Sequence, residues 1–267
     1  MKNVESLAQF KGLLNAIVKE PYQTNLYMFE AEIIEHIESG MLYYDNAQED
    51  NALFFYLDCN EYLKLYVYVV NEIHKLISFQ QNKPVVADIV YVESKGEPEI
   101  AGVLHRSGFE HLVLYKQYSV KFADLNLPES DLKGYRIAYA QNEQIPDILE
   151  ILNTTFQDLT NELPNKADLE KRIIKRNILC LFSPDGKVCG CSQWDRDKET
   201  CIIKHTSLIP EVRGKGLGKK FYYEVFRCAN AKNYKCWVAE DNVVKKQMDA
   251  SLGYKANGKN MLKLVLK

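Results

Sequence analysis

The sequence predicts an α/β fold on a mixed sheet, arranged as two halves of similar design. Three observations carry this. Apolar residues at helical spacing alternate along the chain with short runs rich in Val, Ile, Tyr and Phe. A polar stretch, Asp124 to Lys133, contains Pro128 and ends at Gly134, as a linker would. The helix stop Val103–Phe109 recurs as Met248–Tyr254: an amphipathic helix meets a glycine, and an aromatic residue opens the next strand. Two domains are therefore expected, 1–125 and 134–267, related by duplication with a repeat of about 130 residues. The alternative is two unrelated α/β segments that share a common helix stop.

In the second half a strand is expected over 135–140. A helix over 143–156 follows, with Ile145, Ile148, Leu149 and Leu152 on one stripe, and a shorter one over 167–176. Strands are expected over 178–182, 187–195 and 200–208, the first two joined by the turn Ser183-Pro184-Asp185-Gly186. A glycine-rich loop at 213–218 leads into a helix ending near Ala231, then a strand over 234–239, a helix over 242–252 and a strand over 260–266. The first half predicts helices over 3–19 and 26–38, strands over 41–46, 52–58, 63–70 and 85–92, a helix over 97–107 and a strand over 110–121.

Bulk properties narrow the class. The 267 residues are 46% apolar and 26% charged, the balance of a soluble globular protein with a full core. A net charge of −2 sets up no field that recruits nucleic acid or an anionic membrane. Met1 to Gly12 lacks the apolar core of a signal peptide, and no apolar run reaches the ~20 residues that span a bilayer. The seven scattered cysteines then read as reduced thiols of a cytoplasmic protein. Cys189 and Cys191 are expected to share one strand face as buried thiols. No His or second Cys pair stands at ligand spacing from them, so no metal is expected.

The informative segment is Leu208 to Lys220. Gly214, Gly216 and Gly218 alternate between an apolar strand and a helix on which Leu217, Phe221, Val225 and Cys228 form a stripe. Such glycines allow positive φ and close approach, so successive N–H groups can converge on an anion at the helix start. Arg213, Lys215, Lys219 and Lys220 add positive charge. The spacing fits neither a P-loop, since no Ser or Thr follows Lys219-Lys220, nor the dinucleotide pattern G-x-G-x-x-G. What remains is Arg-x-x-Gly-x-Gly, met by Arg213, Gly216 and Gly218.

This segment resembles the coenzyme A loop of the GNAT superfamily of N-acetyltransferases. The order of elements in the second half also matches, as do Asn242, eleven residues before Gly253, and the Gly253-Tyr254 ending. The resemblance implies a tandem GNAT-like acyl-CoA N-acyltransferase fold with the second copy intact. It implies acetyl-CoA as cosubstrate, its pyrophosphate held by Arg213, Gly214, Lys215, Gly216, Leu217, Gly218 and Lys219, with Asn242 nearby. It also implies pantetheine in a gap beside the preceding strand, bonded to main chain of Ser207, Leu208 and Ile209.

Acylating an amine requires a base, a polarised thioester carbonyl and help for the departing thiolate. His205, on the strand entering the loop, and Glu240, ending the next strand, are the candidate bases. Asp249 stands where the family often has an acidic tyrosine, and Lys245 where it often has a small residue facing the cofactor. Gln193 and Trp194 are candidates for the acceptor pocket, with core packing favoured for Trp194. Cys201 and Cys228 would matter only in a covalent route.

The equivalent stretch of the first half, Tyr66 to Lys75, has no glycine and places Glu72 where phosphate would need positive charge. One cofactor per chain is expected. Tyr43, Tyr44, Tyr66 and Tyr68 read as packing residues. The functional expectation is acetyl transfer from acetyl-CoA to a primary amine, small-molecule or peptide, by a monomer or homodimer. The rivals are a non-catalytic acyl-CoA-binding or sensing protein and a protein-interaction module.

Overall fold

The computed structural model describes residues 1–17, 22–47, 52–59, 61–69, 82–129 and 131–267. The chain forms two compact units, Met1–Tyr115 with Gly258–Lys267, and Lys116–Asn257.

The first unit contains β1 (Lys2–Asn3), α1 (Leu7–Ile17), β2 (Gln23–Thr24), α2 (Glu30–Glu38), β3 (Leu42–Ala47), β4 (Ala52–Asp58), β5 (Leu63–Val69), β6 (Val85–Val92), α3 (Glu99–Arg106) and the start of β7 (Glu110–Lys121). Strand β4 is a continuous apolar run because both its faces are covered. Ala52, Phe54 and Tyr56 join one core layer with α3, while Leu53, Phe55 and Leu57 join another that includes Phe10 and Ile33 of α1 and α2. Tyr66 is buried, and Tyr43, Tyr44 and Tyr68 pack against these cores, so the tyrosines serve as packing.

The second unit contains the end of β7, β8 (Arg136–Tyr139), α4 (Ile145–Thr155), α5 (Asp158–Asn161), α6 (Lys166–Ile174), β9 (Ile178–Phe182), β10 (Val188–Asp197), β11 (Thr200–Leu208), α7 (Leu217–Ala229), β12 (Asn233–Ala239), α8 (Val243–Ser251) and the start of β13 (Lys255–Leu266). Its strand order is β7-β12-β11-β10-β9-β8. Ile145, Ile148, Ile151 and Leu152 of α4 pack on one sheet face with Ile178 and Cys180. Leu217, Phe221, Val225 and Phe226 of α7 cover the other with Leu179, Leu181 and Ile203. Cys189 and Cys191 fall into different core layers, contrary to expectation. The β9–β10 register shifts between Val188 and Gly190, and that irregularity breaks the alternation on which a shared face depends.

The boundaries differ from the contiguous 1–125 and 134–267 expected. Strand β13 pairs antiparallel with β6 over Lys259–Leu266, so the last strand of the sequence completes the first unit. Strand β7 lies beside β12, so the last strand of the first half completes the second unit. The two helix stops do correspond. Phe109 N–H donates to Leu104 O at 3.0 Å and Tyr254 N–H to Asp249 O at 3.0 Å, with Gly108 at φ 91° and Gly253 at φ 86°. No helix among the described residues is long and apolar enough to cross a membrane.

Each unit has a parallel pair of strands that splits. In the first, β5 and β6 pair only at Leu63–Val85 and Lys64–Val86. Strand β2 then occupies the free side of β5, pairing Gln23 with Val69 and Thr24 with Tyr68. Buried Asn25 closes the gap: its Nδ2 donates to Leu65 O at 3.0 Å and Asp88 O at 3.1 Å, and its Oδ1 accepts from Val67 N–H at 2.7 Å. In the second unit β11 and β12 pair from Thr200–Asn233 to Ile203–Cys236 and then part. No described strand enters that gap.

Candidate functional site

The wall of the second split is β11 past Ile203. Its register against β10 shifts between Ser192 and Trp194, a bulge opposite Lys204 and His205. Gly190 lets β10 press close, since a Cβ there would sit 2.4 Å from Leu208 Cδ2 and 2.9 Å from Ser207 O. Ser207 Oγ is 2.8 Å from Thr155 Oγ1, and Ile209 N–H donates to Cys189 O at 3.0 Å. Ser207 and Leu208 pair with β10 on one side, and the other side of the strand faces the split.

A short 3-10 turn, Pro210–Val212, then carries the chain into the glycine segment. Gly214 (φ 74°) and Gly216 (φ 73°) are left-handed, and a Cβ at either would meet nothing within 4 Å. Gly216 is the N-cap of α7 and brings no side chain to its first N–H groups. A 13-residue helix therefore begins with exposed donors and the positive end of its dipole beside open space. Phosphate suits that combination. Arg213 Nε donates to Leu208 O at 2.7 Å, tying the turn to β11. Lys219 Nζ donates to Ser251 O at 3.1 Å, tying α7 to α8. Leu217 is buried as the first core anchor of the helix, and Gly218 packs at ordinary distance on Leu208 and Met248. Asn242 is the N-cap of α8, its Oδ1 accepting from Lys245 N–H at 2.9 Å.

The three expected acid–base residues do not converge. His205 is buried on the α4 side, edge-on to Phe156. Its Nε2–H donates to Asn161 O at 2.7 Å, so Nδ1 is the acceptor, 2.7 Å from Gln193 Nε2. Burial pushes its pKa down to about 4, and the imidazole is neutral at pH 7 with both nitrogens engaged. Asp249 lies on the other face, wholly buried, ion-paired with Lys245 and accepting from Cys236 Sγ at 3.4 Å. Burial raises its pKa while the Lys245 ammonium opposes the rise. Glu240 is half-exposed just past β12 and pairs with Lys116 at 3.2 Å.

Trp194 is core, as expected, with its main-chain N–H donating to Asn177 O at 3.1 Å. Gln193 serves His205. Burial pushes the Cys201 thiol up to about 12, which leaves no thiolate at that position near neutral pH; Cys228 lies on α7, partly buried. A surface hollow of about 650 Å³ lined by Lys121, Arg196, Lys198 and Lys232 includes Asn233, at the opposite end of β12. Of the first-half counterpart to the glycine segment, Val70 to Lys75, including Glu72, lies outside the described residues. One element of the site was not anticipated, the Lys245–Asp249 pair, whose i, i+4 spacing was visible in the sequence; outside the site, the Asn25 bridge of the first unit had no such signal.

No family model matches the sequence, and no curated protein matches it. Solved structures do match in shape. An acetyltransferase of the GNAT family from Colwellia psychrerythraea aligns over 100% of this chain and 99% of its own, with TM-score 0.57 and 16% identity. A GCN5-related N-acetyltransferase from Sphaerobacter thermophilus aligns over 80% of this chain and 76% of its own, with TM-score 0.59 and 12% identity. A tandem GNAT protein from the clavulanic acid biosynthesis pathway covers 80% and 78%, with TM-score 0.54 and 11% identity. At such identities the likeness speaks for architecture, and together with the split sheet and the glycine turn it establishes that this chain has the GNAT N-acetyltransferase fold.

Proposed function

We propose that the second unit is an acyltransferase that moves acetyl from acetyl-CoA to a primary amine of a small molecule or peptide, by direct attack in a ternary complex. The observation that carries this is the open split between β11 and β12, ending at a left-handed, uncapped glycine helix start. The diphosphate would lie on the main chain of 214–218, with Arg213, Lys215 and Lys219 around it. Pantetheine would take the bonds that β12 no longer makes to Ser207, Leu208 and Ile209. Acetyl-CoA supplies the thioester; the chain's part is to hold it, admit the amine and receive its proton.

Glu240 is the group best placed to receive that proton, because its carboxylate is exposed where β12 ends. His205 would first have to give up Gln193, so its role here is to fix the bulge of β11. Asp249 is committed to Lys245. The second reading, binding without turnover, is favoured by that same commitment, which leaves the family's usual acid position without a free proton donor. A free-thiol release assay with acetyl-CoA against a broad panel of primary amines decides between them. The transferase reading expects amine-dependent thiol release, weakened by Glu240→Gln. Tight coenzyme A binding with no amine-dependent release across the panel would favour the second reading.

A further inference from the structure

The α7–α8 face of the second split holds a buried polar cluster, and three of its positions have apolar counterparts among the described residues of the first unit. Lys245 Nζ pairs with the Asp249 carboxylate, lies 3.9 Å from Cys236 Sγ, and sits 5.0 and 6.0 Å from the ring centres of Tyr222 and Tyr254. Cys236 is the last residue of β12 paired to β11, so this ammonium stands at the base of the opening. The buried Tyr254 hydroxyl makes no hydrogen bond, and that of Tyr222 approaches Thr206 of β11 without completing one. Aligning the two helix stops puts Lys245 on Ile100 and Asp249 on Leu104, and the last paired residue of β6 is Val86. All three first-unit residues are apolar and buried. A fold that is stable with Val, Ile and Leu at these places does not need an ion pair there. Buried pairs are in any case weak sources of stability.

We propose that Lys245, held by Asp249, is the group that stabilises the departing thiolate, in place of the tyrosine that Asp249 displaces. This deepens the acyltransferase reading and rests on it. The amine nitrogen attacks the thioester carbonyl, the C–S bond breaks, and its electron pair remains on sulfur beside the ammonium. The amine's proton goes to the base, and the thiolate takes a proton from water on release. Burial pulls the Lys245 pKa down, but Tyr222, Cys236 and Asp249 more than offset it and hold it above the ordinary lysine value. Lys245 therefore acts by fixed charge rather than by giving up its proton.

The test reads the sulfur directly. The thiol of coenzyme A bound to the full chain is titrated by thiolate ultraviolet absorbance, with the desulfo-coenzyme A complex as blank. Binding is measured separately by calorimetry. A cation beside the sulfur should let the bound thiol ionise at least about one pH unit below free coenzyme A. Lys245→Met should return it to the free value with affinity changed less than about threefold. Because that variant leaves Asp249 unpaired in the core, Lys245→Met/Asp249→Leu is run beside it and should show the same return. A wild-type thiol that titrates like free coenzyme A, or one unmoved in both variants, overturns the proposal. Failure of coenzyme A to bind the wild-type chain appears in the calorimetry and overturns the acyltransferase reading itself.

Discussion

The two units solve the same problem in opposite ways. Each has a parallel strand pair that parts, after Lys64–Val86 in one and after Ile203–Cys236 in the other. Parting leaves main-chain donors and acceptors without partners, and buried groups of that kind must be satisfied. The first unit satisfies them from its own chain, with β2 along β5 and the Asn25 amide bridging Leu65, Val67 and Asp88. The second leaves its gap free of any described strand and ends β11 in a turn of left-handed glycines. The contrast teaches that a shared fold does not make a shared site. In the first unit a two-residue strand and one amide side chain together fill the space that the second unit leaves open.

That contrast can be attacked at several points. The largest effect is expected for Gly216→Glu, which sets a carboxylate in the proposed anion site. Coenzyme A affinity should fall at least about a thousandfold, or ~4 kcal/mol, in a calorimetric titration. Folding should survive with ~1–2 kcal/mol of left-handed strain, because the space around that residue is open. Unchanged affinity would remove the glycine turn from the site. Asn25→Leu should cost about 3–4 kcal/mol in denaturant unfolding, since it orphans three buried main-chain groups. It should leave coenzyme A affinity untouched. A variant as stable as wild type would mean that the first gap is not sealed by this residue.

Protonation of His205 probes the second gap's wall. Its folded pKa, about 4, lies below the ordinary value of 6.5, so the unfolded chain binds more protons between those values. Stability is full above about pH 6.5 and is lost as pH falls towards 4, by at most ~3 kcal/mol. His205→Gln should flatten that limb of the stability–pH curve. A slope that persists in the variant would assign the effect to other groups. The smallest effect is expected for Gly190→Ala, whose Cβ must push against Ser207 O and Leu208. It should destabilise by ~1–2 kcal/mol and weaken coenzyme A binding several-fold, because the wall of the slot moves. Binding that is unaffected would mean the β11 main chain does not touch the ligand.

Much of this was readable in the sequence, and the remainder was not for identifiable reasons. Helical stripes such as Ile145, Ile148 and Leu152, and the Ser183–Gly186 turn, produced most elements of the second unit to within a few residues, although the last strand begins at Lys255 rather than 260 and the short helix α5 was not foreseen. The glycine segment declared its geometry because Gly214 and Gly216 both require positive φ. The first unit was less exact: the helix expected over 26–38 begins at Glu30, and Gln23–Tyr27 instead contacts strands β5 and β6. Asn25 carried no signal, since its partners are main-chain atoms 40 to 63 residues away. The exchange of β7 and β13 was equally silent. Both strands keep the same apolar alternation whichever neighbours they pair with, so the pattern fixes their existence and not their destination. The bulge that separates Cys189 from Cys191 is a register property, set by β9 as much as by β10.

Counting the coenzyme A molecules bound per chain, by native mass spectrometry across a titration, tests the account most directly. One slot is sealed by Asn25 and the other is open, so the count should saturate at one and fall to zero in Gly216→Glu. Saturation at two, or a single bound molecule that persists in Gly216→Glu, would contradict it.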